Sequence, residues 1–160
     1  DQKAVAKYPD YIKAACTLPI FGKPVTIEGV PYMDGGITTM IPVTKSLEKG
    51  CDKHVIVTTK SQNYVRKPQG FLEKHFLRLR YRNKPALVEA FENRRDVYYE
   101  ERDLINSLVT EKKAVYLYPS EELGVGRFSG THEQFQALFD LAYKDCEARK
   151  EALYQLYQSE

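Results

Sequence analysis

The residues best placed to do chemistry in this chain are an aspartate and two glycines, Asp34-Gly35-Gly36, which follow the largely apolar run Val30 to Met33. Glycine permits backbone conformations and close approaches that a side chain would prevent, so we expect Asp34 on a tight turn that another group can reach. A carboxylate in that place could orient or deprotonate a hydroxyl nucleophile, bind a cation, or cap its own turn, because Asp-Gly is a common turn dipeptide. The tripeptide alone leaves all three roles open.

Other residue types that often carry chemistry show no comparable grouping. The three histidines are scattered along the sequence: His54, His75 and His132. No metal-ligand spacing joins them, so we predict neither a metal site nor a cofactor. The three cysteines are equally far apart: Cys16, Cys51 and Cys146. An odd number without close pairing predicts reduced, structural thiols that pack as small buried hydrophobes.

Hydrophobic periodicity predicts the elements that must hold Asp34 in place. Helices are predicted over Tyr8–Ala15, Val43–Lys49 with a stop at Gly50, Pro85 to Lys113, and one final helix that starts at the capping box Thr131-x-x-Gln134 and includes Leu156. Strands are predicted over Val25–Glu28 and Val30–Met33, paired about Gly29, and over His54–Thr59 and Ala114–Tyr118 as buried core strands.

This alternation of helices with short hydrophobic strands is typical of a layered α/β architecture. At 160 residues, the chain has the length of one domain with its own core. It shows only four candidate strands, whereas a typical sheet holds about five or six. We therefore expect part of the sheet to come from polypeptide outside this sequence.

A basic stretch runs from Lys60 to Lys84, where Glu73 is the single acid. Two interpretations stay open for it. The first is a solvated helix whose apolar face packs into the core. The second is a surface that attracts anionic lipid head groups through Arg78, Arg80 and Arg82, beside aromatic residues. A net charge of +2 is too small to indicate a nucleic-acid partner, and no nucleic-acid-binding motif accompanies the stretch.

Several motifs occur in a fixed order along the chain. They are Ala14-Ala15-Cys16-Thr17-Leu18-Pro19-Ile20-Phe21, Pro24-Val25, Gly29-x-Pro31-Tyr32-Met33-Asp34-Gly35-Gly36, Ile41-Pro42-Val43 and Gly50-Cys51-Asp52-Lys53, followed by Arg95-x-x-x-Tyr99, Tyr118-Pro119, Gly126-Arg127 and Phe135 to Tyr143. This series resembles the patatin-like phospholipase family, and its later motifs look like those of a bacterial branch of that family. The resemblance covers most of the chain.

The resemblance implies a serine acyl hydrolase of lipid esters with a Ser-Asp dyad, a layered α/β/α fold and a mixed sheet. Asp34 would be the dyad aspartate, and Gly35 and Gly36 would support it. Family members carry the serine in a G-x-S-x-G motif and the oxyanion amides in a glycine-rich loop, both N-terminal to the aspartate. Neither motif occurs in this sequence.

We therefore expect residues 1–160 to be the C-terminal part of a single patatin-like domain whose nucleophile-bearing segment is absent, and to be inactive alone. The expected partners are a lipid or ester substrate and that segment, in a cytoplasmic or peripheral membrane location. The alternative is a noncatalytic lipid-binding or interaction module that has kept the fold.

Overall fold

The computed structural model describes residues 8–19, 22–126 and 129–158. The chain divides into two compact units, Asp1–Met40 with Lys67–Tyr98, and Ile41–Arg66 with Tyr99–Glu160. Both contain helices and strands, so the α/β class is confirmed. The single patatin-like domain stays a prediction. Ile20, Phe21 and Arg127, which belong to the motif series, lie outside the described residues.

The first unit is built from a hairpin and helices. Helix α1 spans Pro9–Ala15, strands β1 and β2 span Val25–Ile27 and Val30–Tyr32, and helix α3 spans Phe71–Arg80. The strands pair antiparallel, with Ile27 opposite Val30. Glu28 and Gly29 turn the chain with positive φ angles of 50° and 82°. A two-residue turn with two positive φ angles matches the twist of paired strands, so the predicted hairpin is confirmed.

The core of the first unit lies directly behind the Asp-Gly-Gly segment. Four buried residues form it: Ile37, Leu77, Tyr81 and Phe91. Met33, Leu87 and Val88 are partly buried and pack against it. Ile37 ends the short 3-10 helix Gly35–Ile37 that follows β2. The turn carrying Asp34 is therefore anchored at both ends by residues of the core.

The second unit contains a parallel strand pair. Helix α2 spans Val43–Glu48, β3 spans His54–Val57, β4 spans Ala114–Leu117, α5 spans His132–Ala148 and α6 spans Lys150–Gln158. Helix α4 spans Pro85–Thr110 and supplies its residues from Tyr99 onward to this unit. Strands β3 and β4 pair parallel with His54 opposite Ala114. Ile105, with none of its surface exposed, is the most deeply buried large side chain described here.

Antiparallel and parallel pairs thus both occur, but in the described part of the chain they lie in two separate two-stranded sheets. Strand β3 was predicted to be buried. That prediction is wrong for one face of the strand, because Val55 and Val57 are 56% and 70% exposed while His54 and Ile56 are buried. The described residues surrounding β3 cover only one of its two faces.

Three further expectations require correction. The predicted last helix is two helices that separate at Arg149. The backbone N–H of Arg149 donates to the carbonyl oxygen of Cys146, and the carbonyl of Asp145 accepts from the Arg149 guanidinium instead. The long helix ends at Thr110 instead of Lys113, since Lys112 adopts a positive φ of 59°. The cysteines are free, as predicted, but all three are exposed and not buried.

No helix among the described residues is long and apolar enough to cross a membrane.

Candidate functional site

Asp34 lies two residues beyond the end of β2, at the N-terminus of the 3-10 helix. Its backbone N–H donates to the carbonyl oxygen of Thr17 at 3.1 Å. Its side-chain Oδ1 accepts a hydrogen bond from the backbone N–H of Gly36 at 2.8 Å. An aspartate that accepts from the amide two residues later satisfies a helix-terminal donor that would otherwise lack a partner. The capping role that the sequence left open is therefore present.

The capping bond engages only one oxygen of the carboxylate. Within the described residues, the other oxygen, Oδ2, takes part in no hydrogen bond. The Asp34 side chain is half-buried and lines an open cavity of about 300 Å³. The carboxylate is thus fixed through Oδ1 and retains Oδ2 for another group, which is the arrangement that a positioned proton acceptor needs.

Gly36 controls how closely the backbone approaches that carboxylate. A Cβ atom on Gly36 would lie 3.2 Å from Oδ1 of Asp34, whereas a Cβ atom on Gly35 would meet nothing within 4 Å. The two glycines are therefore not equivalent. A side chain at Gly36 would crowd the carboxylate that caps the turn, whereas Gly35 leaves space beside the turn.

The cavity combines apolar walls with one cation. Its lining includes Pro24, Pro31, Met33, Ile37, Tyr81 and Leu87, together with Lys84. The Tyr81 hydroxyl donates to the carbonyl oxygen of Pro19 at 2.8 Å, and the side chain is buried. This bond connects the C-terminus of α3 to the loop before β1 and so holds one wall of the cavity. Such a cavity suits a small, largely apolar ligand with a polar group near the carboxylate.

The three arginines predicted to attract head groups differ in the structure. Arg78 Nε and Nη2 donate to the two carboxylate oxygens of Glu92 at 2.6 Å and 2.9 Å. That hydrogen bond with Arg78 lowers the pKa of the Glu92 carboxyl. The Arg80 guanidinium lies over the Tyr81 ring, 5.6 Å from its centroid. Arg82 follows the helix and is exposed. Much of the positive charge of Arg78 is therefore compensated within the protein.

One pair of polar side chains was not predicted from the sequence. Ser46 Oγ lies 3.0 Å from Nδ1 of His54, and His54 is only 5% exposed. His54 Nε2 has no hydrogen-bond partner among the described residues. A hydroxyl next to an imidazole is one way to activate a nucleophile, but such a base is oriented by a third group, and none is described on Nε2. We interpret the pair as a link between α2 and β3.

The remaining candidates do not form a site. His75 stacks on Phe71 within α3, and His132 is the first residue of α5. Among residues 8–19, 22–126 and 129–158, no three His, Cys, Asp or Glu side chains are grouped so that they could hold a metal ion.

Comparisons with known proteins match only parts of the chain. A family model described as a domain of unknown function, DUF6363, matches residues 84–158. The "Uncharacterized protein YjjU" of Escherichia coli (strain K12) is 35% identical over 63 residues, which make up 39% of this chain and 18% of that protein. The chain thus matches less than a fifth of the length of that relative. Asp34 and the hairpin before it precede the residues that the family model covers.

Proposed function

We propose that this chain supplies the aspartate of a Ser-Asp dyad in a patatin-like hydrolase of lipid esters. The observation that carries the proposal is the state of Asp34, whose Oδ1 is fixed by the Gly36 amide while the side chain lines an open, largely apolar cavity. The ordered series of motifs around Asp34 supports the same function. The serine would come from a segment outside this sequence, and no cofactor would be required.

In the proposed reaction, Asp34 takes the proton of the serine hydroxyl while the serine oxygen attacks the ester carbonyl. The C–O bond of the ester breaks, and the departing alcohol leaves with that proton. Water then attacks the acyl carbon and gives a proton to Asp34. The bond between the acyl carbon and the serine oxygen breaks, the serine oxygen takes that proton back from Asp34, and the fatty acid is released. Backbone amides of the serine-bearing segment would stabilise the negative oxygen in both steps. The apolar walls of the Asp34 cavity would accommodate the substrate.

The test uses the natural polypeptide that contains this chain and its serine, with a short soluble ester as substrate. Asp34→Asn keeps an oxygen that can accept from the Gly36 amide but removes the base. We expect kcat to fall by about 10²–10⁴-fold and the melting temperature to stay within about 2 °C of the parent. Asp34→Ala should lose activity equally and also lose the cap, at a cost of about 1 kcal/mol. Asp52→Asn, an exposed aspartate elsewhere, controls for loss of charge.

The capping bond itself favours a second candidate, a noncatalytic lipid-binding or interaction module. In that case Asp34 only completes its turn. Asp34→Asn would then leave any ester hydrolysis unchanged, and only Asp34→Ala would have an effect, through stability. The two substitutions together therefore separate the catalytic function from the structural one.

A further inference from the structure

Helix α3 has an apolar face that is turned towards solvent. Phe71 and Leu72 are each 81% exposed, Leu79 is 66% exposed and Phe76 is 45% exposed. Their spacing places them on one side of the helix, since residues three to four apart share a face. Leu77, the buried residue of α3, lies on the opposite side and packs against Ile37 and Phe91. The helix thus has two apolar faces and buries only one.

Cations border the exposed face on both sides. Lys74 and Arg78 follow one margin of the helix, and Arg80 follows the other, with Arg82 just beyond the C-terminus. Glu73 is the single acid between Phe71 and Lys84. Glu92 compensates Arg78, whereas neither Arg80 nor Arg82 belongs to an ion pair of the described residues. The uncompensated charge next to the apolar face is therefore positive.

We propose that α3 docks this protein on an anionic lipid bilayer, with Phe71, Leu72 and Leu79 inserted at the level of the head groups. A helix with exposed leucine and phenylalanine on one face and arginine at its margins lies in the plane of a membrane interface. Its arginines would reach lipid phosphates while their stems remain beside the apolar side chains. Because the uncompensated charge beside the apolar face is positive, it favours a negatively charged lipid surface over a neutral one.

The docking face belongs to the same unit as the Asp34 cavity. Tyr81, the residue directly after α3, lines that cavity. Leu77 lies in one buried cluster with Ile37, the last residue of the 3-10 helix that follows Asp34. A bilayer bound to α3 would therefore deliver lipid to the unit that carries the carboxylate. The docking itself does not depend on hydrolysis and can be tested without it.

The test measures co-sedimentation of the 160-residue chain with two kinds of vesicle, phosphatidylcholine alone and an equal mixture of phosphatidylcholine and phosphatidylglycerol. Arg80→Gln with Arg82→Gln should weaken binding to the mixed vesicles about 25-fold at low salt, because each cation near an anionic surface contributes about fivefold. Leu72→Ser with Leu79→Ser should weaken binding to the mixed vesicles about tenfold or more. High salt should reduce binding of the parent chain.

Matched controls use exposed residues away from α3. Lys144→Gln removes a cation from α5, and Tyr157→Ser removes an apolar side chain that is 87% exposed; neither should change binding by more than about twofold. Asp34→Asn should bind as the parent does, which separates docking from catalysis. Parental binding by both double variants would overturn the proposal. So would sedimentation showing that the parent chain self-associates and the Leu72/Leu79 variant does not, since α3 would then contact protein.

Discussion

Gly36 provides the sharpest test of how the candidate site is built, because a matched neighbour is available. A methyl group on Gly36 would lie 3.2 Å from Oδ1 of Asp34, and the same group on Gly35 would meet nothing within 4 Å. Neither glycine has a positive φ, so alanine can adopt both backbone conformations. Gly36→Ala and Gly35→Ala therefore differ chiefly in the contact with the carboxylate, since the next nearest side chain to the new methyl group at position 36 is that of Met40, 4.0 Å away.

The expected sizes follow from that contact. Where the conformation is allowed, replacing glycine by alanine stabilises a protein by about 0.4–1 kcal/mol, because the unfolded chain loses freedom. Gly35→Ala should show this gain. In Gly36→Ala the carboxylate must shift by a few tenths of an ångström, and a non-rotameric side chain costs about 0.5–1.5 kcal/mol, so the gain should be cancelled. Urea denaturation of the two variants should separate them by about 1 kcal/mol.

The same displacement should affect the proposed catalysis. Misplacing a catalytic group by about 1 Å can cost about a hundredfold in rate, so a smaller shift should lower kcat by about three- to tenfold. Gly35→Ala should retain parental kcat. Both would be measured with a short soluble ester, in a longer polypeptide that includes the proposed serine. Equal stability and equal turnover of the two variants would refute the reasoning, because the Gly36 contact would then position nothing.

Three further substitutions probe the rest of the structure. Ser46→Ala should cost about 1 kcal/mol by removing the bond to His54 without lowering ester hydrolysis in the natural polypeptide; abolished turnover would identify Ser46 as the nucleophile and contradict the dyad proposal. Ile105→Ala should lower the free energy of unfolding by about 2–5 kcal/mol, measured by urea denaturation. The Ser61 amide holds the pKa of Glu122 below its ordinary value of 4.5, so this carboxylate contributes stability above that pH and loses it as the pH falls through the lower folded value. Glu122→Gln should therefore lower the urea midpoint at about pH 6, and this loss should shrink as the pH is lowered below 4.5. A loss that does not depend on pH would contradict this.

Features that depend on neighbouring residues could be predicted from the sequence. The hairpin turn at Gly29, the left-handed Gly50 with a φ of 78° and the capping box at Thr131 all follow from local backbone and hydrogen-bond preferences. The cap at Asp34 was among the alternatives for the same reason. Each is decided within four residues of sequence, so the rest of the fold has little influence on it.

Features that depend on distant contacts could not be predicted. Arg78 pairs with Glu92 across 14 residues, and this pairing compensates the charge of one of the three arginines that were expected at a lipid surface. The exposure of β3 depends on what covers each of its faces, which periodicity does not reveal. The break at Arg149 arises because its guanidinium lies over the Tyr118 ring, 4.3 Å from the centroid, and bonds to the Asp145 carbonyl. That side chain replaces the backbone bond which would have continued the helix.

The exposed face of β3 bears on the proposed dyad. Parallel strands are ordinarily covered on both faces. Strand β3 pairs parallel with β4, and yet its residues Val55 and Val57 are largely exposed. The proposed dyad independently requires a serine hydroxyl at Asp34, and within the described residues no hydroxyl is hydrogen-bonded to this carboxylate. One segment that brings both a serine and additional sheet-covering structure would meet the two requirements at once. A serine-bearing segment that left Val55 and Val57 exposed would complete only the dyad, and the exposure of the two valines would then need a separate explanation.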